Sequence, residues 1–359
     1  MSRNYSFDNA PGSFFNSLKE KVDQYFIEKK LDRAGNAKLF WKSIFQILFA
    51  AGLYTVLIFF NPGVLISVVL CVLLGLNFAI IGFNVMHEGG HKSFSRHPWM
   101  NSVSAYFLNV LGGNTYYWKI KHNVNHHTYT NVEGMDSDID AKPFLRMHEG
   151  QPHHAFHRYQ HIYWIVLYGI SYVAWIFYED FEKYFSGRIN VNSPKKKLPL
   201  KEHIIFWISK ALYLVVYVAV PIFMVGWLPW LIGFLIITSV CGIAISIVFQ
   251  LAHVVEGTQF RQGLDPKDKQ DWAMQQIAST SNFGTSSKLL HWLLGGLNFQ
   301  IEHHLFPLVS HIHYPAISQM VKESCKEYNI VYHEYKSMAK AIVSHLIHLR
   351  RLGNLAPAT

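Results

Sequence analysis

Four apolar runs, Ser43–Phe60, Val64–Val85, Ile204–Val225 and Trp227–Phe249, decide what this chain can become. Each is long enough to cross about 30 Å of hydrocarbon, a medium without water for the backbone polar groups, so each must be helical. Only Asn61-Pro62-Gly63 separates the first two and only a turn at Gly226 the last two, which predicts two tight helical hairpins. The links carry no Lys or Arg, whereas the N-terminus, the 86–203 loop and the 250–359 tail hold nearly all 32. By the positive-inside rule these long segments are expected on the cytoplasmic side.

The expected fold is an all-α integral membrane protein, with four transmembrane helices plus interfacial helices and a cytoplasmic helical cap. Its expected divisions are a cytoplasmic segment 1–42, a membrane domain 43–345 and a tail 346–359. One stretch competes with this topology. Ile162–Tyr178 has 17 residues with almost no polar side chain. Its length is marginal for a crossing and its Tyr and Trp content suits the interface, so it is read as a helix on the cytoplasmic leaflet. Asn101–Gly113 is a weaker candidate of the same kind, and Asn192–Lys197 is a solvated loop. Met1–Asn36 is polar and lacks the apolar core of a signal peptide, so none is expected. The net charge of +9 sits in loops beside apolar helices, which points to lipid headgroups and not to nucleic acid.

Histidine is the second feature. Three clusters lie at the ends of the apolar runs: His87-Glu88-Gly89-Gly90-His91, His122-Asn123-Val124-Asn125-His126-His127 and Gln300-Ile301-Glu302-His303-His304. Neutral imidazole is the commonest metal ligand, and Cys71, Cys241 and Cys325 are too scattered to compete with it. His87 and His91, like His122 and His126, are four apart and share a helical face, while His127 points about 100° round from His126. Seven imidazoles exceed the three or four protein ligands of a mononuclear site, so two metals are expected. His148, His153, His154, His157 and His161 are read as a solvated or lipid-facing surface, and His311 and His313 as groups behind the third cluster. His97, His203, His291, His333, His345 and His348 receive no role.

Two other classes were weighed. The first cluster spells HExxH, the pattern of zinc proteases, but consecutive glycines weaken the presenting helix and a protease has no use for five further clustered histidines. A His-rich metal transporter would want polar groups within the spans, where Lys210 is the only charged side chain.

Together, HEGGH after one span pair, HNVNHH some thirty residues on and QIEHH after the second pair, within NFQIEHHLFP, resemble the three histidine boxes of membrane fatty acid desaturases. The Gln300 opening of box three, Trp272–Gln276 and Phe249–Glu256 are similar to the front-end group, which includes the Δ6, Δ5 and linoleoyl-CoA desaturases. The resemblance implies an O2-dependent enzyme that introduces a cis double bond into a membrane-associated acyl chain, carried on CoA or a lipid. It implies a cytoplasmic-facing centre of two iron ions bound by His87, His91, His122, His126, His127, His303, His304 and an eighth ligand at the end of the fourth span, matching His253. Gln300 either binds metal through its amide oxygen or holds a water. Glu88 and Glu302 are expected to orient imidazoles, with Asn123, Asn125, Asp136 and Asp138 as further supports.

An unactivated methylene has no acidic proton, so its oxidation needs a metal and O2, and an external donor must reduce the metal. Many front-end relatives carry a fused cytochrome b5 marked His-Pro-Gly-Gly. Here His97-Pro98 continues as Trp99-Met100, so a separate ferredoxin or cytochrome b5 donor is expected. A fatty acyl hydroxylase of the same superfamily is the closest chemical alternative. His127→Ala or His304→Ala is expected to abolish product formation while leaving membrane insertion intact, as measured by lipid analysis and carbonate extraction. Substantial surviving turnover rejects the two-metal assignment.

Overall fold

The computed structural model describes residues 13–60, 62–190, 193–262 and 271–355; Asn61 and Asn192 of the expected links lie outside them. Among the described residues, five helices are long and apolar enough to cross a membrane: Ala37–Phe59, Val64–Gly90, Ala155–Ser186, Leu200–Val225 and Trp227–His253. Four cover the expected spans, the first stopping one residue short at Phe59, and each runs past its span at one end or the other, because helical hydrogen bonding continues where apolar composition stops. The fifth contains Ile162–Tyr178 and is 32 residues long, so the count by length and composition is five where the sequence reading gave four. The described residues divide into two compact units, a first within 36–120 and 165–247, and a second made of 13–35, 121–164, 248–262 and 271–355.

The first unit is built from the long helices. Asn36 starts Ala37–Phe59 by accepting from the backbone N–H of Lys38 and Leu39, and Gly226 turns the second hairpin at φ 88°, where a side chain would be strained. In lipid, close backbone approach replaces the hydrophobic drive, and small residues permit it. A Cβ on Gly75 would lie 2.5 Å from the Ile237 carbonyl oxygen, and one on Gly242 2.5 Å from that of Tyr168. The Asn77 amide donates to the Gln46 carbonyl at 2.8 Å, joining the helices of the first hairpin. Outward side chains such as Val64 and Phe223 stay exposed, as a lipid-facing surface requires.

Lys210, the one charge noted in the spans, is buried and fully used. Its Nζ donates to Asp180 Oδ2 at 2.9 Å, to the Gly112 carbonyl at 2.6 Å and to the Ile176 carbonyl at 2.7 Å. The Tyr172 hydroxyl donates to the Leu111 carbonyl beside it. An ion pair of this kind is tolerable in an apolar setting only because each charge is hydrogen-bonded as well. Here it fixes the loop that leads into the helix of box two.

The second unit has a mixed core. Phe14, Leu18, Val22 and Phe26 recur every fourth residue on helix Phe14–Lys29 and bury one face against Ile317 and Val321 of Tyr314–Glu327. Ser13 caps that helix, and Asp271 both caps Trp272–Ser279 and accepts from the Phe15 N–H at 3.2 Å. A parallel pair of short strands, Asn282–Phe283 with Glu334–Tyr335, departs from the all-helical expectation. The Arg146 guanidinium, buried to 1% exposure, donates to the carbonyls of Glu149, Gln151, Leu352 and Leu355, closing the end of helix Met338–Asn354.

Gly242→Val is expected to lower the thermal unfolding midpoint in detergent by several degrees, because the carbonyl it meets is backbone and overpacking costs about 1–3 kcal/mol. Gly52→Val, where an added Cβ meets nothing within 4 Å, is the control. Equal midpoints for the two variants would count against the close packing.

Candidate metal centre

Box two is wound differently from the α-helix its spacing suggests. Lys119–His126 is a π-helix, and the His127 N–H bonds back five residues to the His122 carbonyl at 3.1 Å. The wider turn brings both His126 and His127 over His122. The His122 and His126 rings stack at 5.1 Å, and the Nε2 atoms of His122 and His127 are 3.3 Å apart. Two carboxylates in the following loop hold the outer ring nitrogens. His126 Nδ1 meets Asp136 Oδ2 at 2.9 Å and His122 Nδ1 meets Asp138 Oδ2 at 3.2 Å. Asp136 is itself fixed by the N–H groups of Asn131 and Asp138, and Asp138 by Lys121 Nζ at 2.9 Å.

His253 ends the helix Trp227–His253, with its Nδ1 3.3 Å from the Ser279 carbonyl. Its own carbonyl accepts from Asn131 Nδ2 at 3.0 Å. Box three forms the helix Gln300–Leu305. His303 Nδ1 meets the Tyr314 hydroxyl at 3.1 Å, and His304 Nδ1 meets Gln276 Oε1 at 2.9 Å. The ligand atoms of His126, His253 and His304 all lie within 4.8 Å of one another, and the three residues are buried. Those of His122 and His303 are equally close, and the His127 ring lies 4.7 Å from His303 and 4.4 Å from His304. Six of the eight expected ligands therefore share one buried cluster in the second unit.

His87 and His91 belong to the first unit. A π-helical turn, Gly82–Met86, delivers His87 from the preceding helix, and the two imidazoles lie 4.6 Å apart. The Trp118 ring packs 5.8 Å from each of them. Gly90 makes room for it, since a Cβ there would sit 2.2 Å from the indole.

A metal held through Nε2 requires each outer nitrogen to carry its proton and find an acceptor. Five of the six rings meet that requirement, with Asp138, Asp136, the Ser279 carbonyl, Tyr314 and Gln276. His126 Nε2 is buried with no hydrogen-bond partner among the described residues, as a nitrogen reserved for a ligand would be. Burial opposes charge on His126, yet the adjacent Asp136 raises its pKa; on His122 burial wins over Asp138 and lowers it. Burial would raise Asp138, but Lys121 and His122 hold it well below the usual carboxylate range.

Other expected supports behave differently. Burial pushes Glu302 up to about 7, and both its oxygens are engaged away from the imidazoles. Asn282 Nδ2 donates to one at 2.7 Å and the Tyr332 hydroxyl to the other at 2.8 Å. Asn282 Oδ1 meanwhile accepts from the Ile301 N–H, so Glu302 orients the helix and not a ring. Glu88 Oε2 accepts from Ser93 Oγ at 3.1 Å. Asn123 and Asn125 are half-buried on the box-two helix, and Gln300 is buried at the start of the box-three helix.

The histidines read as surface include two that are buried: His148 stacks on Phe260 at 5.3 Å, and His157 Nε2 meets the Pro143 carbonyl at 2.8 Å. His345 and His348 likewise bond the carbonyls of Val254 and Met147. These rings are packing elements of the unit. Asn131, Gln276, Tyr314 and Asn282 were not singled out as site residues in the sequence. Only Gln276 had a signal, as the last residue of the Trp272–Gln276 segment.

The family model described as fatty acid desaturase matches residues 63–336. The chain belongs to the fatty acid desaturase family. The desaturase is 33% identical over 346 residues to an acyl-lipid (8-3)-desaturase of Physcomitrium patens, covering 95% of this chain and 72% of the relative. It is 31% identical over 356 residues to an sn-1 linoleoyl-lipid 6-desaturase of Arthrospira platensis, covering 95% and 92%, and 31% identical over 339 residues to one of Synechocystis, covering 94% of each. It is accordingly an oxidoreductase of acyl-chain desaturation, and its buried imidazoles fit a metal site.

Asp136→Asn is expected to release bound metal about 10–100-fold more readily than the parent, as outer partners of ligating histidines generally do when altered. Chelator competition on the purified protein measures this. Unchanged retention would remove Asp136 from the site.

Proposed function

We propose that the desaturase inserts a cis double bond between an existing one and the carboxyl end of a lipid-borne acyl chain, using O2 at a centre of two irons. The observation that carries the metal reading is the buried triad His126, His253 and His304, each with its outer nitrogen held by a protein acceptor. His122, His127, His303, His87 and His91 are assigned to the same centre, the last two on their motif. Iron bound there would supply the electrons and oxidising power that O2 needs to attack an unactivated C–C pair. Overall, two hydrogens leave adjacent carbons, and two electrons and two protons from a donor complete the reduction of O2 to two waters.

The residues of the chain contribute orientation and dryness. Asp136, Asp138, Gln276 and Tyr314 keep the imidazoles in the tautomer that leaves Nε2 for metal, and the buried cluster excludes bulk water that would consume a strong oxidant. The names of the relatives support a lipid carrier over CoA. Gln300 at the head of box three supports front-end regiochemistry. The electron donor is proposed as a separate acidic redox protein that docks on a basic cytoplasmic surface.

A parity constraint supports four crossings. Boxes two and three lie in one cluster, so an even number of crossings separates them along the chain. Three long helices intervene. Ala155–Ser186 is the least apolar of the three, and it is the one proposed to remain at the interface.

Expression in a host without polyunsaturates, with defined fatty acids supplied, is expected to yield new double bonds on the carboxyl side of existing ones, located by mass spectrometry and enriched in the lipid pool over the CoA pool. The purified protein should hold about two irons per chain. Hydroxylated product alone would establish the hydroxylase instead.

A further inference from the structure

The outer partners of the triad differ in charge. His126 has the Asp136 carboxylate behind it, His253 has the Ser279 carbonyl, and His304 has the neutral amide oxygen of Gln276 at 2.9 Å. Gln276 is fully buried on helix Trp272–Ser279, which Asp271 caps. Its Oε1 also accepts from Thr130 Oγ1 at 2.7 Å, and the same hydroxyl lies 2.7 Å from the His126 carbonyl and, more distantly than Gln276, 3.3 Å from His304 Nδ1. One amide oxygen thus ties the segment after box two to the second histidine of box three.

An imidazole whose outer N–H faces a carboxylate is a stronger donor than one facing an amide, and it favours the more oxidised metal. The difference is amplified where water is excluded. We infer that Gln276 is a positioning residue, fixing the tautomer of His304 and, by being neutral, keeping the triad's metal position easy to reduce. This rests on the metal-centre reading above. It deepens that reading by assigning a cause to the redox poise: a centre that must be re-reduced at every turnover gains from having one anion behind its three rings and not two.

The test uses the full-length protein, purified in detergent and loaded with iron. Gln276→Leu removes the nearer acceptor of His304 Nδ1, leaving only the Thr130 hydroxyl at 3.3 Å, and is expected to release iron to a chelator about 10–100-fold more readily. Gln276→Glu keeps the acceptor and adds charge. It is expected to retain iron while shifting the ferric-to-ferrous affinity ratio at least about tenfold towards ferric, a fall of about 59 mV for a one-electron couple, read by redox titration with Mössbauer detection. Thr130→Val, which leaves Gln276 in place, is expected to weaken retention by a smaller factor and serves if Gln276→Leu fails to fold. Retention within twofold of the parent in both Gln276→Leu and Thr130→Val, or an unmoved potential in Gln276→Glu, overturns the role of Gln276. A parent that binds no iron overturns the centre itself, a distinct result.

Discussion

The hydrogen bond on the outer nitrogen of five of the six clustered imidazoles is the constraint around which the second unit is arranged. A neutral imidazole has one proton and two nitrogens, so whichever nitrogen is satisfied as a donor leaves the other as a lone pair. His126 illustrates the result, with Nδ1 on Asp136 and a buried, partnerless Nε2. The acceptors come from a loop at 136–138, a helix at 272–279 and a helix at 314–327, each fixed by packing of its own. The core residues from Phe14 to Cys325 hold those elements in place.

Local winding matters as much as the partners. Both π-helical turns beside the boxes, Gly82–Met86 and Lys119–His126, change where the next histidine points. Such turns cost backbone hydrogen-bond quality and appear mostly at functional sites. In box two the wider turn is what lets three imidazoles of a six-residue stretch approach one another.

What the sequence disclosed follows from range. The spans and the boxes are local patterns, set by apolar length and by four-residue spacing; long helices cover the four expected runs and add a fifth, and the histidines of boxes two and three meet in the buried cluster. The supporting shell is non-local. Thr130 meets Gln276 across 146 positions and Asn131 meets His253 across 122, and an isolated Asn or Gln in a sequence carries no mark of such a partner. Asp136 and Asp138 were within reach because they stand close to box two. The histidines at 148 and 157 were misread because a dense polar run looks solvated, whereas here backbone carbonyls and a phenylalanine bury them. Glu302 was misread for the opposite reason: standing next to a ligand in sequence does not put its carboxylate beside the ring.

Asn282 joins box three to a strand whose partner, Glu334–Tyr335, lies far downstream, and Tyr332 reaches back thirty positions to Glu302. Box three is therefore synthesised after Gln276 and Asn282 but before Tyr314, which faces His303, and Tyr332, which holds Glu302. A chain still emerging from the ribosome holds box three without these two hydroxyls, and its full set of partners forms only when the segment that carries Tyr314 and Tyr332 docks.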